Sequence, residues 1–320
     1  MAGALARGGR GIASVELIAD RGDAAVEDEF FRSRAFLDAE GATHTMVVAD
    51  GDSRAAVPLI VRAIPGTGLL DAISPYSYPG AAVSGPPIDP GSAPLTDSGL
   101  VSAFVRDRLG EPPAFATGTD RSIVLVSDPD LPRKSRMSDR QQIRKSEAAG
   151  YSVERLEGPA AASPDVTGFL AVYTETMHAV DAAEHYFFDA AYFEALLSFR
   201  DSWLVRVVGP DGDVAAAAIA TRSDGFLHYY LSGTADAHRR QAPSKNLIVA
   251  VNDLADELGL PMNLGGGLRP GDGLEEFKRG FANRELTFRT HELVCDRASY
   301  ERLSKGRPAE GFFPLYRAPA

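Results

Sequence analysis

Residues 264–281 read LGGGLRPGDGLEEFKRGF, and this stretch decides both the fold and the candidate site. A short apolar segment, Leu260 to Leu264, predicts a strand that runs directly into three glycines. Because glycine has no side chain, a substrate could approach the backbone there. The residues that follow predict a short helix carrying Lys278 and Arg279. The arrangement suits the binding of a carbonyl or phosphate group, and it also fits a plain turn followed by a solvated surface lysine.

Two segments earlier in the chain each predict a β-hairpin. The first turn is Asp50-Gly51-Asp52 and the second is Asp211-Gly212-Asp213, and β-branched residues flank both. The central glycine supplies the positive φ that a tight turn requires. A third strand is predicted after each hairpin, over residues 69–74 and 226–232. The same three-strand unit is therefore expected twice.

Helices are predicted around both hairpins. After the second, residues 247–258 form one apolar stripe that ends at Gly259. After the first, Leu100 to Leu109 repeats this spacing more loosely and predicts the equivalent helix. Helices before the hairpins are expected over residues 30–37, 169–177 and 192–199. The order helix, hairpin, third strand, helix and strand thus occurs twice.

This duplicated order and the GGG turn followed by Phe-Lys-x-Gly-Phe resemble the FemABX-like aminoacyltransferases of the GNAT superfamily. The resemblance implies an α/β fold with mixed sheets, built from two tandem GNAT-like acyltransferase domains. We therefore predict an N-terminal domain over residues 1–130 and a C-terminal domain over residues 151–320. A short basic linker helix is predicted between them, over residues 131–150.

Composition limits the classes of function. The net charge is -11, from 33 Lys and Arg against 44 Asp and Glu, which argues against a protein that coats DNA or RNA with its whole surface. Any RNA contact is expected to be local. No apolar run has the length of a signal peptide or a membrane span, and the lone Cys295 fits a small core residue in a reducing cytoplasm. We therefore expect a cytoplasmic protein.

Metal and nucleophile chemistry are not expected. His178, His185 and His228 lack the spacing of metal ligands. No Gly-x-Ser-x-Gly motif or reactive-cysteine context is present in the sequence. Direct transfer without a covalent enzyme intermediate is the simpler scheme, with no cofactor.

The family resemblance suggests roles for particular residues. It implies that Lys278 stabilises the oxyanion that forms when an amine attacks an ester carbonyl. The loop Ser74 to Gly80, which reads SPYSYPG, and the run His185 to Phe188 resemble substrate-pocket segments of this family. A turn whose tyrosines pack on the core is the alternative for the loop. The predicted substrate-binding residues are Tyr76, Tyr78, Tyr186, Tyr230, Gly265, Gly266 and Gly267.

The donor is predicted from a missing motif. GNAT proteins that use acetyl-CoA bind its pyrophosphate with closely spaced backbone amides in a glycine-rich loop before a helix. Here residues 237–246 read AHRRQAPSKN, without glycine, and Pro243 lacks an amide hydrogen. The resemblance to members that use aminoacyl-tRNA is therefore favoured. The predicted tRNA-binding residues are Arg133, Lys134, Arg136, Arg140, Arg144, Lys145, Arg239, Arg240, Lys245 and Arg279; a solvated basic linker is the alternative for the first six.

The resemblance therefore implies an aminoacyltransferase that forms an amide bond on the free amine of a small peptide, peptidyl-nucleoside or aminoglycoside-like acceptor. For a compact member of this family whose sequence is rich in Ala, Gly, Arg and Asp, the resemblance implies a role in antibiotic or other secondary metabolite biosynthesis. Three alternatives remain open at this point: an acyl-CoA-dependent N-acyltransferase, a peptidoglycan-precursor aminoacyltransferase, and a binding protein without catalytic activity.

Overall fold

The computed structural model describes residues 13–161, 163–267, 269–307 and 311–319. In chain order the strands are β1 Ser14–Ile18, β2 His44–Asp50, β3 Ser53–Ala63, β4 Leu70–Ile73, β5 Ala82–Ser84, β6 Leu100–Arg106, β7 Thr119–Ser127, β8 Ser152–Glu157, β9 Ser202–Val208, β10 Val214–Ser223, β11 Phe226–Thr234, β12 Met262–Gly265 and β13 Arg284–Val294. The α-helices are α1 Arg34–Ala39, α2 Met137–Ala148, α3 Ser163–Ala179, α4 Ala190–Leu197, α5 Pro243–Leu258, α6 Gly273–Arg279 and α7 Arg297–Ser304. None of the helices in these ranges is long and apolar enough to cross a membrane.

The chain divides into two compact units. The first contains the described residues within 1–27, 31–121 and 288–320, and the second contains 28–30 and the described residues within 122–287. The chain passes from the first unit to the second within β7 and returns within β13. The last part of the sequence therefore belongs to the unit that the first part begins.

In the first unit the strand order is β1-β2-β3-β4-β6-β13. Strands β1 to β4 are successively antiparallel, β6 is parallel to β4, and β13 is antiparallel to β6. The short strand β5 pairs with β3. The core of this unit includes Met46, Val57 and Phe115 together with Leu293 from β13. The returning segment thus completes both the sheet and the core of this unit.

In the second unit the order is β8-β9-β10-β11-β12-β7. Strands β8 to β11 are successively antiparallel, β12 is parallel to β11, and β7 is antiparallel to β12. Helix α5 lays its apolar stripe on this sheet and buries Leu247, Val251 and Leu254. The order and directions of the six strands match those of the first unit, so the predicted duplication and the tandem α/β fold are confirmed.

Most of the predicted elements are present. Both hairpins form, and their turn glycines, Gly51 and Gly212, have φ of 58° and 87°. Helix α5 ends at Gly259, whose φ is 65°. The helix predicted over Leu100 to Leu109 is wrong, because residues 100–106 form strand β6. This run is buried along most of its length. A short, continuously apolar segment is compatible both with a helix and with a strand that is covered on both faces, so the pattern does not distinguish them.

The compact units do not coincide with the predicted segments 1–130 and 151–320. The difference arises because residues 290–294 of β13 pair with β6, and Tyr316 packs against Ile64 and Val101. The predicted linker helix forms as α2 and lies within the second unit.

Candidate active site

The three glycines follow β12 and are held by close packing. Gly265 has φ of 73°, a conformation that residues with a Cβ rarely adopt. A Cβ on Gly266 would lie 2.7 Å from the carbonyl oxygen of Ile123, and a Cβ on Gly267 would meet a carboxylate oxygen of the Asp272 side chain. Glycine is therefore favoured at Gly265 by the backbone conformation and at Gly266 by packing against the backbone, and neither reason was predicted from the sequence.

Helix α6 begins next to this turn and carries Lys278 back to it. Its N-cap is Asp272, whose side chain accepts a hydrogen bond of 2.8 Å from the backbone N–H of Glu275. One turn and a half later, the Lys278 Nζ donates to the carbonyl oxygen of Gly266 at 2.8 Å. The predicted glycines and the predicted catalytic lysine are thus brought together in one site.

The Lys278 ammonium is only partly exposed to solvent. Burial lowers its pKa to about 8 from the ordinary 10.5, because a charged amine loses hydration there, while the nearby Asp272 carboxylate acts in the opposite direction. An ammonium has three N–H donors, and the bond to Gly266 is the one found for it among the described residues. The site therefore holds a localised cation with further donor capacity.

Tyr76 and Tyr78 lie in the first unit, on the loop after β4. Tyr78 packs edge-on against Phe31 and Phe288, with ring centroids 5.7 Å and 5.1 Å away. Tyr76 is more exposed, and its backbone N–H donates to a carboxylate oxygen of Glu40 at 2.9 Å. Of the two tyrosines, Tyr76 is thus the one whose side chain is more accessible.

Tyr186 and Tyr230 belong to an aromatic cluster of the second unit. The hydroxyl oxygens of Tyr192 and Tyr230 are 3.4 Å apart, and the Tyr173 hydroxyl donates to the carbonyl of Tyr186 at 3.0 Å. Phe188 stacks on Tyr192 with ring centroids 3.9 Å apart. This cluster orders the segment between α3 and α4.

The predicted tRNA-binding residues fall into two groups. Five of them make ion pairs with carboxylates. Most of these ion pairs are exposed to solvent and therefore contribute little to stability. These pairs are Arg133 with Asp253 and Asp256, Arg136 with Glu276, Arg239 with Asp236, Lys245 with Asp139, and Arg279 with Glu275 and Glu285. For the other five, all exposed, no ion pair is found within the described ranges; they are Lys134, Arg140, Arg144, Lys145 and Arg240.

A groove of about 490 Å³ in the second unit brings some of these cations together. Arg133, Lys134 and Arg279 line it, along with Arg284 and apolar side chains from residues 125–132. Arg284 is itself bonded to Asp128 at 2.9 Å. The three arginines of this groove all form ion pairs with carboxylates, whereas no ion pair is found for Lys134 among the described residues.

Comparison with known proteins adds to this geometry. Residues 133–279 match the family described as Acetyltransferase (GNAT) domain. The match covers a little less than half of the chain. Comparison of the whole sequence with curated proteins gives no significant match.

Solved structures show a similar fold over most of the chain. FemX superimposes with a TM-score of 0.59 at 11% identity, over 84% of this chain and 93% of FemX. L-PGS from Bacillus licheniformis gives 0.53 at 14% identity, over 82% of this chain and 87% of its own. The C-terminal domain of a putative lysylphosphatidylglycerol synthetase from Agrobacterium fabrum gives 0.54 at 14%, with the same coverages. The predicted resemblance to FemABX-like GNAT proteins is thereby confirmed for the fold.

The start of α5, within the matched segment, departs from a glycine-rich pyrophosphate-binding loop. Ala242 adopts a left-handed conformation with φ of 51°, and Pro243 occupies the first helical position. Lys245 on the same turn is engaged with Asp139 at 2.9 Å. This helix end therefore offers fewer backbone donors to a phosphate than a glycine-rich loop does.

Two residues near Lys278 were not predicted from the sequence. Asp272 caps α6 and lies near Lys278, and its position before Gly-x-Glu is a recognisable capping signal. Asn263 precedes the glycines, and its Oδ1 accepts from the N–H of Gly265 at 2.7 Å. An asparagine two residues before a turn glycine is a usable signal for such a bond.

Proposed function

We propose that this protein transfers an aminoacyl group from aminoacyl-tRNA to the free amine of a small acceptor, forming an amide bond. The acceptor class is a peptide, peptidyl-nucleoside or aminoglycoside-like amine, and the setting is antibiotic or other secondary metabolite biosynthesis. The observation that carries the proposal is the partly buried Lys278 ammonium, hydrogen-bonded at 2.8 Å to Gly266 in a GNAT domain.

The chemistry needs little beyond this cation. The acceptor nitrogen attacks the ester carbonyl of the donor, a C–N bond forms, and the carbonyl oxygen becomes negative. Lys278 stabilises that oxyanion through an N–H that does not bind Gly266. When the intermediate collapses, the C–O bond to the ribose breaks and the ribose oxygen takes up a proton released by the amine. The ester itself supplies the driving force, so no ATP is required.

The choice of donor rests on two features. The exposed cations of α2, Arg140, Arg144 and Lys145, face solvent and offer contacts to phosphates. The start of α5, with Pro243 in its first turn, is poorly suited to a CoA pyrophosphate. An aminoacyl cargo also agrees with the name lysylphosphatidylglycerol synthetase, which describes the attachment of an amino acid.

Acyl transfer from CoA is the second candidate, because the family match is described as an acetyltransferase domain. The two donors are separated by incubating the protein with labelled aminoacyl-tRNAs, or with acyl-CoAs, and a panel of amine acceptors. Product formation that ribonuclease abolishes supports the proposal. Product that forms from acyl-CoA, or that survives complete ribonuclease digestion of the donor, refutes it.

A further inference from the structure

Two buried polar side chains meet beneath the glycine turn. His228 and Asn263 are 1% and 2% exposed, and they face each other in register on the parallel strands β11 and β12. The Asn263 Nδ2 lies 2.9 Å from the Nδ1 of His228. Buried polar groups are costly unless they are hydrogen-bonded, so this pair occupies its position for a reason other than packing alone.

The surroundings of His228 fix its tautomer. Its Nε2 lies 3.0 Å from the carbonyl oxygen of Ser223, which can only accept, so Nε2 carries the hydrogen. Burial lowers the pKa of His228 to about 4, although the nearby Asp224 acts in the opposite direction, and the ring is therefore neutral near pH 7. The remaining Nδ1 is an acceptor and fixes the orientation of the Asn263 amide.

With its Nδ2 turned toward His228, Asn263 presents Oδ1 to the glycine turn. That oxygen accepts from the N–H of Gly265 at 2.7 Å, where the chain takes up its left-handed conformation. The carbonyl of the following residue, Gly266, accepts from Lys278 at 2.8 Å. A continuous series of hydrogen bonds and one peptide unit thus leads from the sheet interior to the lysine.

We propose that Asn263 and His228 are positioning residues for Lys278. They hold the Gly265–Gly266 turn in the conformation that directs the Gly266 carbonyl at the ammonium, and so keep the remaining N–H donors aimed at the reacting carbonyl. The catalytic part of this inference rests on the proposed function, in which Lys278 stabilises an oxyanion. The effect of Asn263 and His228 on the position of the lysine can be measured without a transfer assay.

The test is a titration of Lys278 itself. The chain has five lysines, so protein labelled with [¹³C]lysine gives five Cε resonances, and the Lys278→Met variant assigns the one of interest. In the wild-type protein its midpoint is expected near pH 8. In Asn263→Ala the turn loosens and water reaches the ammonium, so the midpoint is expected to rise to ~pH 9 or higher.

Met262→Ala is the matched control. Met262 is the preceding residue of β12, is fully buried, and packs in the core of the second unit. Its truncation is expected to destabilise the protein by opening a cavity, yet to leave the lysine midpoint unchanged. Asn263→Ser retains an oxygen that can accept from the Gly265 N–H, and it is expected to restore much of the wild-type midpoint.

In the transfer assay, Asn263→Ala is expected to lower kcat by about tenfold to a hundredfold with little change in KM, since it misplaces the cation without removing a substrate contact. Should Asn263→Ala not fold, His228→Phe fills similar space without the Nδ1 acceptor and is expected to shift the midpoint in the same direction.

An unchanged midpoint in whichever of these two variants folds overturns the positioning role. A shifted midpoint in a protein that transfers nothing from aminoacyl-tRNA leaves that role standing and refutes the reaction assigned to Lys278.

Discussion

Replacing Lys278 by Met should abolish activity without unfolding the protein. The pKa of about 8, against the ordinary 10.5, corresponds to roughly 3 kcal/mol of penalty for keeping this amine charged where it lies. Methionine keeps most of the length and apolar contact but carries no charge. The variant also loses the bond to Gly266, which at about 1.5–3 kcal/mol for a charged donor offsets much of the gain.

The two contributions nearly cancel, so the melting temperature is expected to change by only a few degrees, in either direction. Turnover should behave differently. Removal of a preorganised donor from an oxyanion site costs about a hundredfold or more in kcat. A large loss of activity at nearly constant stability is the pattern that distinguishes a functional buried charge from a structural one.

The pH dependence gives a second measurement on the same residue. If the ammonium is the active form, activity is retained below pH 8 and is lost as the pH rises through about 8. The acceptor amine must be neutral to attack, so its own titration produces a rising limb on the acidic side. Only the falling limb should disappear in Lys278→Met.

The assay is single-turnover transfer from labelled aminoacyl-tRNA, with melting curves recorded on the same preparations. Lys305→Met is the matched control, because this lysine is exposed in the first unit, just after α7. It should leave both measurements unchanged. A loss of less than threefold in Lys278→Met, with wild-type stability, would refute the role of the cation in catalysis.

Three further changes test other parts of the site. Arg140→Glu with Arg144→Glu should weaken tRNA binding and flatten its salt dependence; the affinity of the wild-type protein for tRNA is expected to fall about tenfold or more between low and physiological salt. The control, Arg297→Glu with Lys305→Glu, makes the same charge change on and just after α7, and an equal effect there would contradict a local tRNA surface. Gly266→Ala should lower the free energy of unfolding by about 1–3 kcal/mol, measured with denaturant, because its Cβ would lie 2.7 Å from a backbone oxygen. Gly273→Ala has no atom within 4 Å of its Cβ and should leave the stability unchanged or raise it, so equal denaturation midpoints for the two variants would show that the turn is not tightly packed. Asp272→Ala removes the cap of α6 and the carboxylate near Lys278, so the protein should lose about 1 kcal/mol of stability and the pKa of Lys278 should fall further. An NMR midpoint that rises instead would show that Asp272 does not stabilise the charged lysine.

The parts of the fold that depend on local chemistry were predictable from the sequence. Gly51 and Gly212 mark turns whose backbone conformation few other residues adopt, and the apolar stripe of α5 has only one helical interpretation. The prediction of a helix over Leu100 to Arg106 was wrong because both faces of this strand are covered, so its sequence lacks the alternation of apolar and polar residues that marks a half-exposed strand. Partners on distant strands, such as β13 beside β6, leave no local signal at all.

For the candidate site, sequence reasoning joined the glycines to Lys278 because a short helix returns the lysine to the turn that precedes it. It could not assign the reason for the glycines, since the carbonyl of Ile123 that crowds Gly266 comes from β7, far away in sequence. The ion pairs of Arg133 were equally hidden, because their carboxylates lie on α5. Charge patterns along a chain show where cations are and do not show which of them are already compensated.

The return of residues 288–320 to the first unit has a consequence for how the protein is made. Ribosomal synthesis delivers β1 to β6 early, yet the strand that flanks β6 and the Tyr316 side chain that packs on Val101 emerge only after the second unit. Until then, one side of β6 and its apolar residues stay uncovered, an edge of the kind that invites pairing with other chains. The first unit can therefore close only after β13 and Tyr316 have been synthesised, and a stop codon between β6 and β13 would damage the unit that was translated first.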